Sequence, residues 1–439
     1  MDNYYELLQS MNAKIPDKVF LKEDGRDWSY SSLLALSEKL WEYASNCGVK
    51  KYSKILIKSE SPVYQAGAFL ALEKIGAVPI LLHNDLSNTT IREILQKNKL
   101  QGIWCVKGNS NEIWSDTSSK PISTSAAMGV LTSGTTGIPK VLYRDFRSWY
   151  NFFPIQNDVF GIDNNTVMFI HGSLSFTGNL NMFLAVMAAG GELLTCRAMG
   201  GRKWHGLLAD NRATHIYVVP AKLHLLCRNC ETENTILKYI IGGSQLITQD
   251  LYRSLVRVFP GADTILYYGS SELSYISYKI MSGKEDENNL GRPFENIAVT
   301  SRDGELFVDT PYGISGIHMP YSCGDTGYVN DRGEIIFTGR KTDWINKGGY
   351  KISCNRLERL IRQVDGVRAV AVMPFNDKIK GQEIAAFVAA KEEISVKDLR
   401  DSFALVLNER ERPKKIILLG ELPLNDRGKV DKQILGELL

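Results

Sequence analysis

The sequence predicts an α/β fold with a large amino-terminal domain of layered sheets and helices, a β subdomain, and a small α+β carboxyl-terminal domain. In the first half, strand-like runs such as 54–58 alternate with helical patterns such as 30–47 and 63–75. This alternation is typical of layered parallel sheets. From about Arg292, short strands separated by Gly and Asp turns predict the β subdomain. From about residue 340, a further helix and two strands predict the last domain.

The individual elements follow from the spacing of apolar residues and from turn residues at their ends. Further strands are predicted at 102–106, 166–171, 215–219, 238–241, 264–267, 304–308, 333–337, 367–374 and 383–390, and a further helix at 355–364. Ligands bind beyond the carboxyl ends of strands in parallel sheets. The loops at 132–140, 242–245 and 268–272 are therefore the predicted ligand-binding loops.

Composition excludes several classes of protein. The 439 residues carry 52 basic and 49 acidic side chains without a long block of one sign, which does not favour nucleic acid as a partner. The seven cysteines are odd in number and widely scattered, which is typical of reduced thiols rather than a disulfide framework. No apolar run approaches the roughly 20 residues of a membrane span, and the amino terminus does not look like a signal peptide. We therefore expect a cytoplasmic protein without a membrane span.

The loop after the apolar run at 129–131 has the composition of a phosphate-binding loop. It combines hydroxyl side chains, glycines and one lysine in Thr132, Ser133, Gly134, Thr135, Thr136, Gly137 and Lys140. Glycines let backbone N–H groups turn toward an anion, and the hydroxyls and the lysine supply further donors and charge. The loop is not a Walker A motif, because Thr135 stands where that motif requires lysine. We interpret it as a site for tri- or pyrophosphate.

Residues 132–140 resemble the phosphate loop of the adenylate-forming (AMP-binding) superfamily, which includes acyl-CoA synthetases, nonribosomal adenylation domains and luciferases. Further motifs that resemble those of the superfamily follow in the same order at 267–272, 291–293, 322–325, 339–352 and 423–429. The resemblance spans nearly the whole chain. It implies an enzyme that uses ATP and Mg²⁺ to activate a carboxylic acid.

The resemblance also assigns roles to individual residues. It implies that Glu272 is the magnesium ligand, that Tyr268 covers the adenine, and that Ser271 contacts phosphate. Asp325 and Arg340 are implied to bind the ribose, and Arg340 alternatively the phosphate. The remaining contacts to ATP or AMP are implied for Thr132, Ser133, Gly134, Thr135, Thr136, Gly137, Lys140, Gly243, Ser244, Tyr267 and Gly269. The catalytic set is implied to be Lys429, Glu272, Thr136 and Lys140.

Two domains with different roles follow from the same resemblance. Residues 1–339 are expected to bind ATP and the acid, and residues 340–439 to form a mobile domain that carries Lys429. The implied hinge is Thr342, although the superfamily usually has Asp or Lys there. The implied tunnel for the thiol is lined by Gly348, Gly349 and Tyr350.

The acid pocket is implied to include His171, Phe176, Gly242 and Tyr267. Many ligases of the superfamily carry histidine at the position of Phe176. The sequence does not assign a role to the nearby His171. Residues 169–182 contain no Asp or Glu to pair with a substrate ammonium group, which disfavours an amino acid. Fatty, branched and aryl acids all remain possible substrates.

The sequence therefore predicts an AMP-forming acid–thiol ligase. Its acceptor is either coenzyme A or the phosphopantetheine of an acyl or peptidyl carrier protein. One alternative is a stand-alone adenylation enzyme that loads an aryl or amino acid onto a carrier protein, and another is an ATP-binding homologue without catalysis. A Rossmann-type dehydrogenase is excluded because no G-x-G-x-x-G run lies between a strand and a helix near the start.

Overall fold

The computed structural model describes residues 1–439 except 84–85, 109, 116–120, 133–137, 229–233, 235, 285, 287, 342–343, 348–349, 378–380, 392–393 and 425–429; at 115, 344, 346, 350, 351 and 377 it describes the backbone alone. The helices are α1 (Tyr4–Lys14), α2 (Tyr30–Asn46), α3 (Pro62–Ile75), α4 (Asn88–Lys97), α5 (Arg147–Tyr150), α6 (Phe153–Phe160), α7 (Thr177–Ala189), α8 (Gly201–Asp210), α9 (Pro220–Arg228), α10 (Gln249–Val258), α11 (Cys354–Arg362), α12 (Val396–Val406) and α13 (Lys432–Glu437). Among the described residues, no helix has both the length and the apolar character that a membrane span needs.

The strands are β1 (Val19–Glu23), β2 (Arg26–Ser29), β3 (Lys54–Lys58), β4 (Val78–Leu81), β5 (Gly102–Lys107), β6 (Ser110–Ser115), β7 (Met128–Thr132), β8 (Lys140–Arg144), β9 (Val167–Ile170), β10 (Glu192–Thr195), β11 (His215–Tyr217), β12 (Tyr239–Gly243), β13 (Asp263–Ser270), β14 (Ser274–Ile280), β15 (Arg292–Pro293), β16 (Ala298–Arg302), β17 (Glu305–Asp309), β18 (Asp325–Val329), β19 (Ile335–Arg340), β20 (Trp344–Lys347), β21 (Tyr350–Ser353), β22 (Val367–Asp377), β23 (Gly381–Ala390) and β24 (Lys415–Leu419).

Two compact units account for the chain. The first comprises Met1–Glu287, Gly291–Ala298 and Asp309–Met319, and the second comprises Asn288–Leu290, Val299–Val308 and Pro320–Leu439. The second unit thus contains most of the β subdomain together with the carboxyl-terminal part of the chain. The boundary between residues 339 and 340 stays a prediction about function.

The first unit contains two sheets. One has nine strands in the order β15-β14-β13-β12-β11-β9-β10-β1-β2, and the other has six in the order β6-β5-β3-β4-β7-β8. In the nine-stranded sheet, the parallel pairs are β1–β10, β10–β9, β9–β11, β11–β12 and β12–β13. In the six-stranded sheet, they are β5–β3, β3–β4 and β4–β7. The predicted parallel layered sheets are therefore confirmed.

Helix α3 explains how these two sheets are layered. It contacts β3, β4 and β5 of the six-stranded sheet and also β1 of the nine-stranded sheet. Its residues from Pro62 through Glu73 are buried except Tyr64, as expected for a helix that is largely apolar on all faces. Ser61 caps its first turn, and Gly76 ends it at a φ of +76°, which favours glycine.

The second unit also contains two sheets among its described residues. One is ordered β16-β17-β18-β19; the other is ordered β21-β20-β23-β22, with β24 parallel to β23. Helices α11 and α12 bury Leu357 and Phe403 in one core with Val388 of β23. The predicted mixed α and β character of this region is confirmed.

Most predicted elements begin and end within a few residues of the observed ones, and the differences have local causes. The strand predicted over 215–219 ends at Tyr217, because helix α9 begins at Pro220. The run that begins near Arg292 does not start the small β subdomain. Arg292 and Pro293 instead pair with Tyr278 and Ser277 at the edge of the nine-stranded sheet.

Glu73 of α3 is a buried carboxyl group with 3% exposure. Its Oε2 accepts a hydrogen bond from the N–H of Tyr4 at 3.0 Å, and Oε1 has no partner. Burial raises the pKa of Glu73 from 4.5 to about 8. The folded protein therefore holds this proton more tightly than the unfolded chain. The resulting stability is present below pH 4.5 and is lost as the pH rises toward 8.

We expect Glu73→Gln to weaken this pH dependence, because glutamine keeps the acceptor and does not titrate. Between the two pKa values, each pH unit changes the free energy of unfolding by about 1.4 kcal/mol at most. The measurement is the thermal unfolding midpoint of the wild type and the variant from pH 5 to pH 8. The exposed Glu93→Gln is the matched control. Parallel profiles for Glu73→Gln and the wild type would contradict the assignment.

Candidate nucleotide and acid site

The predicted phosphate loop connects two paired strands. β7 and β8 are antiparallel, and Thr132 at the end of β7 lies opposite Lys140 at the start of β8. The Thr132 hydroxyl donates to the Lys140 carbonyl at 3.5 Å. Asn98 fixes the start of β8, because it donates to the carbonyl of Pro139 at 3.2 Å and accepts from the N–H of Val141 at 3.0 Å. The structure thus brings Thr132 and Lys140 together, while Ser133, Gly134, Thr135, Thr136 and Gly137 lie outside the described residues.

The segment that carries Glu272 is the tight turn between β13 and β14. At Gly269 a Cβ atom would lie 2.3 Å from the carbonyl oxygen of Ser274, so no larger residue fits there. Ser274 has a φ of +68°, and the Ser270 hydroxyl accepts from the N–H of Leu273 at 3.1 Å. This turn puts Ser271 and Glu272 beyond the carboxyl end of a parallel strand, where ligands bind in such sheets.

Arg144 connects the strand that leaves the phosphate loop to this turn. Its side chain is fully buried, and Nη2 donates to the Ser271 carbonyl at 2.7 Å and Nη1 to the Tyr312 carbonyl at 2.8 Å. Burial lowers the pKa of Arg144 to about 10, and the carboxylates of Glu272 and Asp145 oppose that shift. Sequence reasoning did not single out Arg144, although an arginine in an otherwise apolar strand was an available signal.

Gly242 and Gly243 end β12 beside Tyr267 of β13. At Gly243 a Cβ atom would lie 2.3 Å from Cζ of Tyr267, so the tyrosine ring occupies the space that a side chain would need. Ser244 follows with a φ of +64°. Gly242 and Gly243 are buried, and Ser244 is the first exposed residue after β12. Tyr268 is half-buried at an irregularity in the pairing of β13 with β14.

A cluster of three tyrosines fills the space behind this loop. The hydroxyl oxygens of Tyr217 and Tyr267 lie 2.7 Å apart, and the Tyr275 hydroxyl donates to that of Tyr217 at 3.3 Å. Burial raises the pKa of each of these phenols. At Gly178 a Cβ atom would lie 1.9 Å from the Tyr217 hydroxyl. The tyrosine cluster therefore limits the depth of any pocket between α7 and β12.

His171 follows the end of β9 and is buried, with 9% exposure. Its ring packs on Trp204 at 4.7 Å between ring centroids. Burial lowers the pKa of His171 to about 4, and the charge of Lys222 lowers it further. His171 is therefore neutral at physiological pH.

Phe176 lies immediately before α7 and contacts a histidine that sequence reasoning missed. Its ring centroid lies 4.7 Å from that of His83, which follows β4. The Nδ1 atom of His83 lies 2.7 Å from the Ser175 hydroxyl oxygen. Nothing in the local sequence around His83 indicated this contact, since it joins segments 92 residues apart.

Asp325 and Arg340 lie together in the second unit. Asp325 begins β18, Arg340 ends β19, and the two are directly opposite each other in the antiparallel pair. Arg340 Nε donates to Asp325 Oδ1 at 2.7 Å, with Asp325 buried and Arg340 half exposed. Beside them, Lys341 forms an ion pair with Glu305 and lowers the pKa of that carboxyl. The sequence predicted Asp325 and Arg340 as two separate site residues, and the structure shows that they form an ion pair.

The remaining predicted residues have little or no described structure. Thr342, Gly348, Gly349 and Lys429 lie outside the described residues, and Tyr350 is described by its backbone in β21. Leu424 and Val430, which flank 425–429, form an antiparallel bridge.

Comparison with known proteins places this fold. Residues 103–316 match the AMP-binding enzyme family, and residues 356–429 match the C-terminal domain of AMP-binding enzymes. The chain therefore belongs to the adenylate-forming superfamily of AMP-binding enzymes.

Individual relatives are distant but cover the chain. VraA of Staphylococcus haemolyticus, whose description as a long chain fatty acid-CoA ligase is itself provisional, is 23% identical over 97% of this chain and 96% of its own length. Bacitracin synthase 3 of Bacillus licheniformis is 22% identical over 99% of this chain and 8% of its own length. The o-succinylbenzoate CoA synthetase MenE of Bacillus subtilis, solved with an acyl-adenylate intermediate, has a TM-score of 0.86 at 19% identity over 99% of this chain and 98% of its own.

Proposed function

We propose that the protein is an ATP-dependent acid–thiol ligase that adenylates a carboxylic acid and transfers the acyl group to coenzyme A. In the first step a carboxylate oxygen attacks the α-phosphorus of ATP, and pyrophosphate leaves. In the second step the thiol sulfur attacks the acyl carbonyl carbon, AMP leaves, and the thiol loses its proton.

One observation carries this proposal. In a chain of the AMP-binding enzyme family, the strand that leaves the Thr132–Lys140 loop is hydrogen-bonded through Arg144 to the Ser271–Glu272 turn. This contact fixes the strand that follows the proposed phosphate loop to a turn that carries a carboxylate. The provisional description of VraA as a fatty acid-CoA ligase supports the same reaction type.

Glu272 is the proposed ligand for magnesium. Mg²⁺ takes one or two carboxylates and completes its coordination with water and phosphate oxygens, so a single half-buried carboxylate at the tip of a turn fits it. When bound, the ion neutralises negative charge on the phosphates. Glu272 and Ser271 are held at their backbones, since Ile314 N–H donates to the Glu272 carbonyl at 2.8 Å and Arg144 donates to that of Ser271 at 2.7 Å.

The other nucleotide contacts are proposed from the position of each residue. Gly243 and Ser244 offer backbone groups, Tyr268 offers a half-buried ring for the adenine, and Asp325 offers a carboxylate for the ribose hydroxyls. The roles of Thr132, Ser133, Gly134, Thr135, Thr136, Gly137, Lys140, Tyr267, Gly269 and Arg340 as nucleotide contacts stay proposals of the same kind.

The catalytic lysine and the thiol path are proposed for the last part of the chain. Lys429 is proposed to contact the reacting carboxylate and the α-phosphate, with Thr136 and Lys140 serving the phosphates. Thr342 is the proposed hinge of a mobile domain over 340–439. Gly348, Gly349 and Tyr350 are proposed to line the thiol tunnel.

The acid is proposed to bind near His171, Phe176, Gly242 and Tyr267. His171 can shape this pocket, but as a neutral imidazole with a pKa near 4 it does not supply a positive charge for the carboxylate. The Tyr267 hydroxyl is hydrogen-bonded inside the tyrosine cluster, so its ring forms a wall rather than a polar contact.

Acid-dependent exchange of pyrophosphate into ATP tests the first half of the proposal. The purified protein is assayed with a panel of fatty, branched, aryl and dicarboxylic acids, with Mg²⁺ and with EDTA. We expect exchange with one class of acid, and none without Mg²⁺. Measurable ATP binding without exchange for every acid would favour an ATP-binding homologue that lacks catalysis.

A carrier protein is the second candidate acceptor. The observation that favours it is the match to Bacitracin synthase 3, in which the matching segment is 8% of a much longer protein. Thioester formation is therefore measured with coenzyme A and, in parallel, with a phosphopantetheine-bearing carrier protein. Thioester with coenzyme A supports the main proposal. Adenylation followed by transfer to the carrier protein alone would replace it.

A further inference from the structure

Lys222 is a half-buried cation beside the proposed acid pocket. It lies in the first turn of α9, and its Nζ donates to the His171 carbonyl at 3.0 Å. Among the residues that the structure describes, no carboxylate forms an ion pair with it. Burial lowers the pKa of Lys222 to about 8, so it is still mostly protonated at neutral pH. Partial burial of an ammonium group without a nearby anion is unfavourable, and a negatively charged ligand would offset this cost.

A small volume beside Gly172 is bordered by Lys222, Phe176 and Asn179. At Gly172 a Cβ atom would lie 3.5 Å from Lys222 Nζ, 3.6 Å from Phe176 Cε2 and 3.7 Å from Asn179 Nδ2. Because residue 172 is a glycine, this volume contains no side chain of its own. The Asn179 amide nitrogen donates to the Ser173 carbonyl at 3.0 Å and to the His171 carbonyl at 3.4 Å, so both of its N–H groups are engaged within the protein. The Lys222 ammonium therefore borders this small volume, and a phenylalanine ring lies at its side.

The order of the strands shows that this cation is remote from the nucleotide loop. Lys222 contacts His171 at the carboxyl end of β9, whereas Gly243 lies at the carboxyl end of β12, and β11 is between them. Neighbouring strands are about 4.8 Å apart, so the two ends are separated by roughly 10 Å. The reacting carboxylate must lie at the nucleotide. A group of the substrate that reaches Lys222 is therefore a different part of the same molecule.

We propose that Lys222 binds a second negatively charged group of the acid, and that the substrate class is short dicarboxylic acids. This inference rests on the proposed function and specifies the class of carboxylic acid that the ligase activates. The tyrosine cluster limits the length of the acid, because Tyr217 against Gly178 closes the space that a long aliphatic chain would need. The apolar wall of Phe176 suits the methylene carbons between the two carboxylates.

The test compares straight-chain dicarboxylic acids of three to eight carbons with the monocarboxylic acids of the same lengths. We expect wild-type kcat/KM for pyrophosphate exchange to favour one dicarboxylic acid by about 100-fold over its monocarboxylic counterpart. Lys222→Met is expected to lower kcat/KM for that diacid by about 100-fold, so that the preference disappears. Lys203→Met, at an exposed position of α8, is the matched control and is expected to keep it.

A binding measurement separates this inference from the proposed function. We expect the preferred diacid to raise the thermal unfolding midpoint of the wild type and of Lys203→Met, and not that of Lys222→Met. Exchange with monocarboxylic acids at rates equal to those of the diacids, and unaffected by Lys222→Met, would overturn the inference and leave the ligase function standing. Absence of exchange with every acid would overturn the ligase function. In that case, a diacid-dependent rise in the unfolding midpoint of the wild type but not of Lys222→Met would still show that Lys222 binds an anion. The same midpoint with and without diacid in the wild type would overturn the inference as well.

Discussion

Lys429→Ala is expected to lower the rate of acid-dependent pyrophosphate exchange by about 10³-fold, while the dissociation constant of ATP changes by only a few-fold. A cation at the reacting carboxylate and the α-phosphate orients the nucleophile and stabilises charge that develops in the transition state. Its contacts matter less in the ground state, so the loss falls on kcat rather than on ATP binding. The measurement is exchange kinetics combined with calorimetric titration of ATP.

The thioester half-reaction provides the internal control for this prediction. When the chemically prepared acyl-adenylate is supplied, Lys429→Ala is expected to form thioester at a rate close to that of the wild type. Lys432→Ala, an exposed lysine three residues away at the start of α13, should leave both half-reactions unchanged. Near wild-type exchange in Lys429→Ala would show that the carboxyl-terminal motif does not contribute to adenylation.

Local patterns in the sequence predicted the architecture well because the elements have strong signals. The helices at Tyr30–Asn46 and Pro62–Ile75 each follow a serine that caps their first turn, and the strand over Lys54–Lys58 is a short apolar run between two lysines. The largest misplacement concerned Arg292–Pro293. A strand of two residues is too short to show an alternation of apolar and polar residues. Its pairing depends on which neighbouring strand has a free edge, and no local sequence pattern encodes that.

The candidate site was predicted only in part, for a similar reason. Residues that lie in one continuous motif, such as Ser271 and Glu272, could be named from the sequence. The contacts that hold them could not, because Arg144 reaches Ser271 across 127 positions in the chain. Lys222 and Tyr217 became visible only when the strand order brought β9, β11 and β12 side by side. Distant pairs of this kind depend on tertiary packing, and a single sequence does not encode them in any one place.

Arg144→Met is the second substitution expected to have a large effect, because Arg144 holds the turn that carries Glu272. The variant leaves the carbonyl oxygens of Ser271 and Tyr312 without their donors at 2.7 and 2.8 Å. An unsatisfied buried acceptor costs roughly 1 to 3 kcal/mol. The substitution also removes the buried guanidinium, whose desolvation is unfavourable, and this offsets part of the cost. We therefore expect a net loss of about 2 kcal/mol in the free energy of unfolding.

The effect of Arg144→Met on catalysis should exceed its effect on folding. A shift of about 1 Å in a group that positions a substrate lowers the rate by about 100-fold. We therefore expect kcat for exchange to fall by about 100-fold and the Mg²⁺ concentration for half-maximal activity to rise. Arg144→Lys keeps the charge but lacks the planar fork that serves two carbonyls at once, so its activity should lie between those of the wild type and the methionine variant.

Two comparisons separate a positioning role of Arg144 from a general loss of stability. Arg147→Met changes the same residue type at an exposed position of α5 and should alter neither Mg²⁺ dependence nor kcat. Arg144→Met is then assayed well below its own unfolding midpoint, where nearly all of the protein is folded. If its kcat and Mg²⁺ dependence match the wild type at that temperature, Arg144 stabilises the fold alone. A raised Mg²⁺ requirement in the folded variant would mean that Glu272 depends on Arg144 for its position.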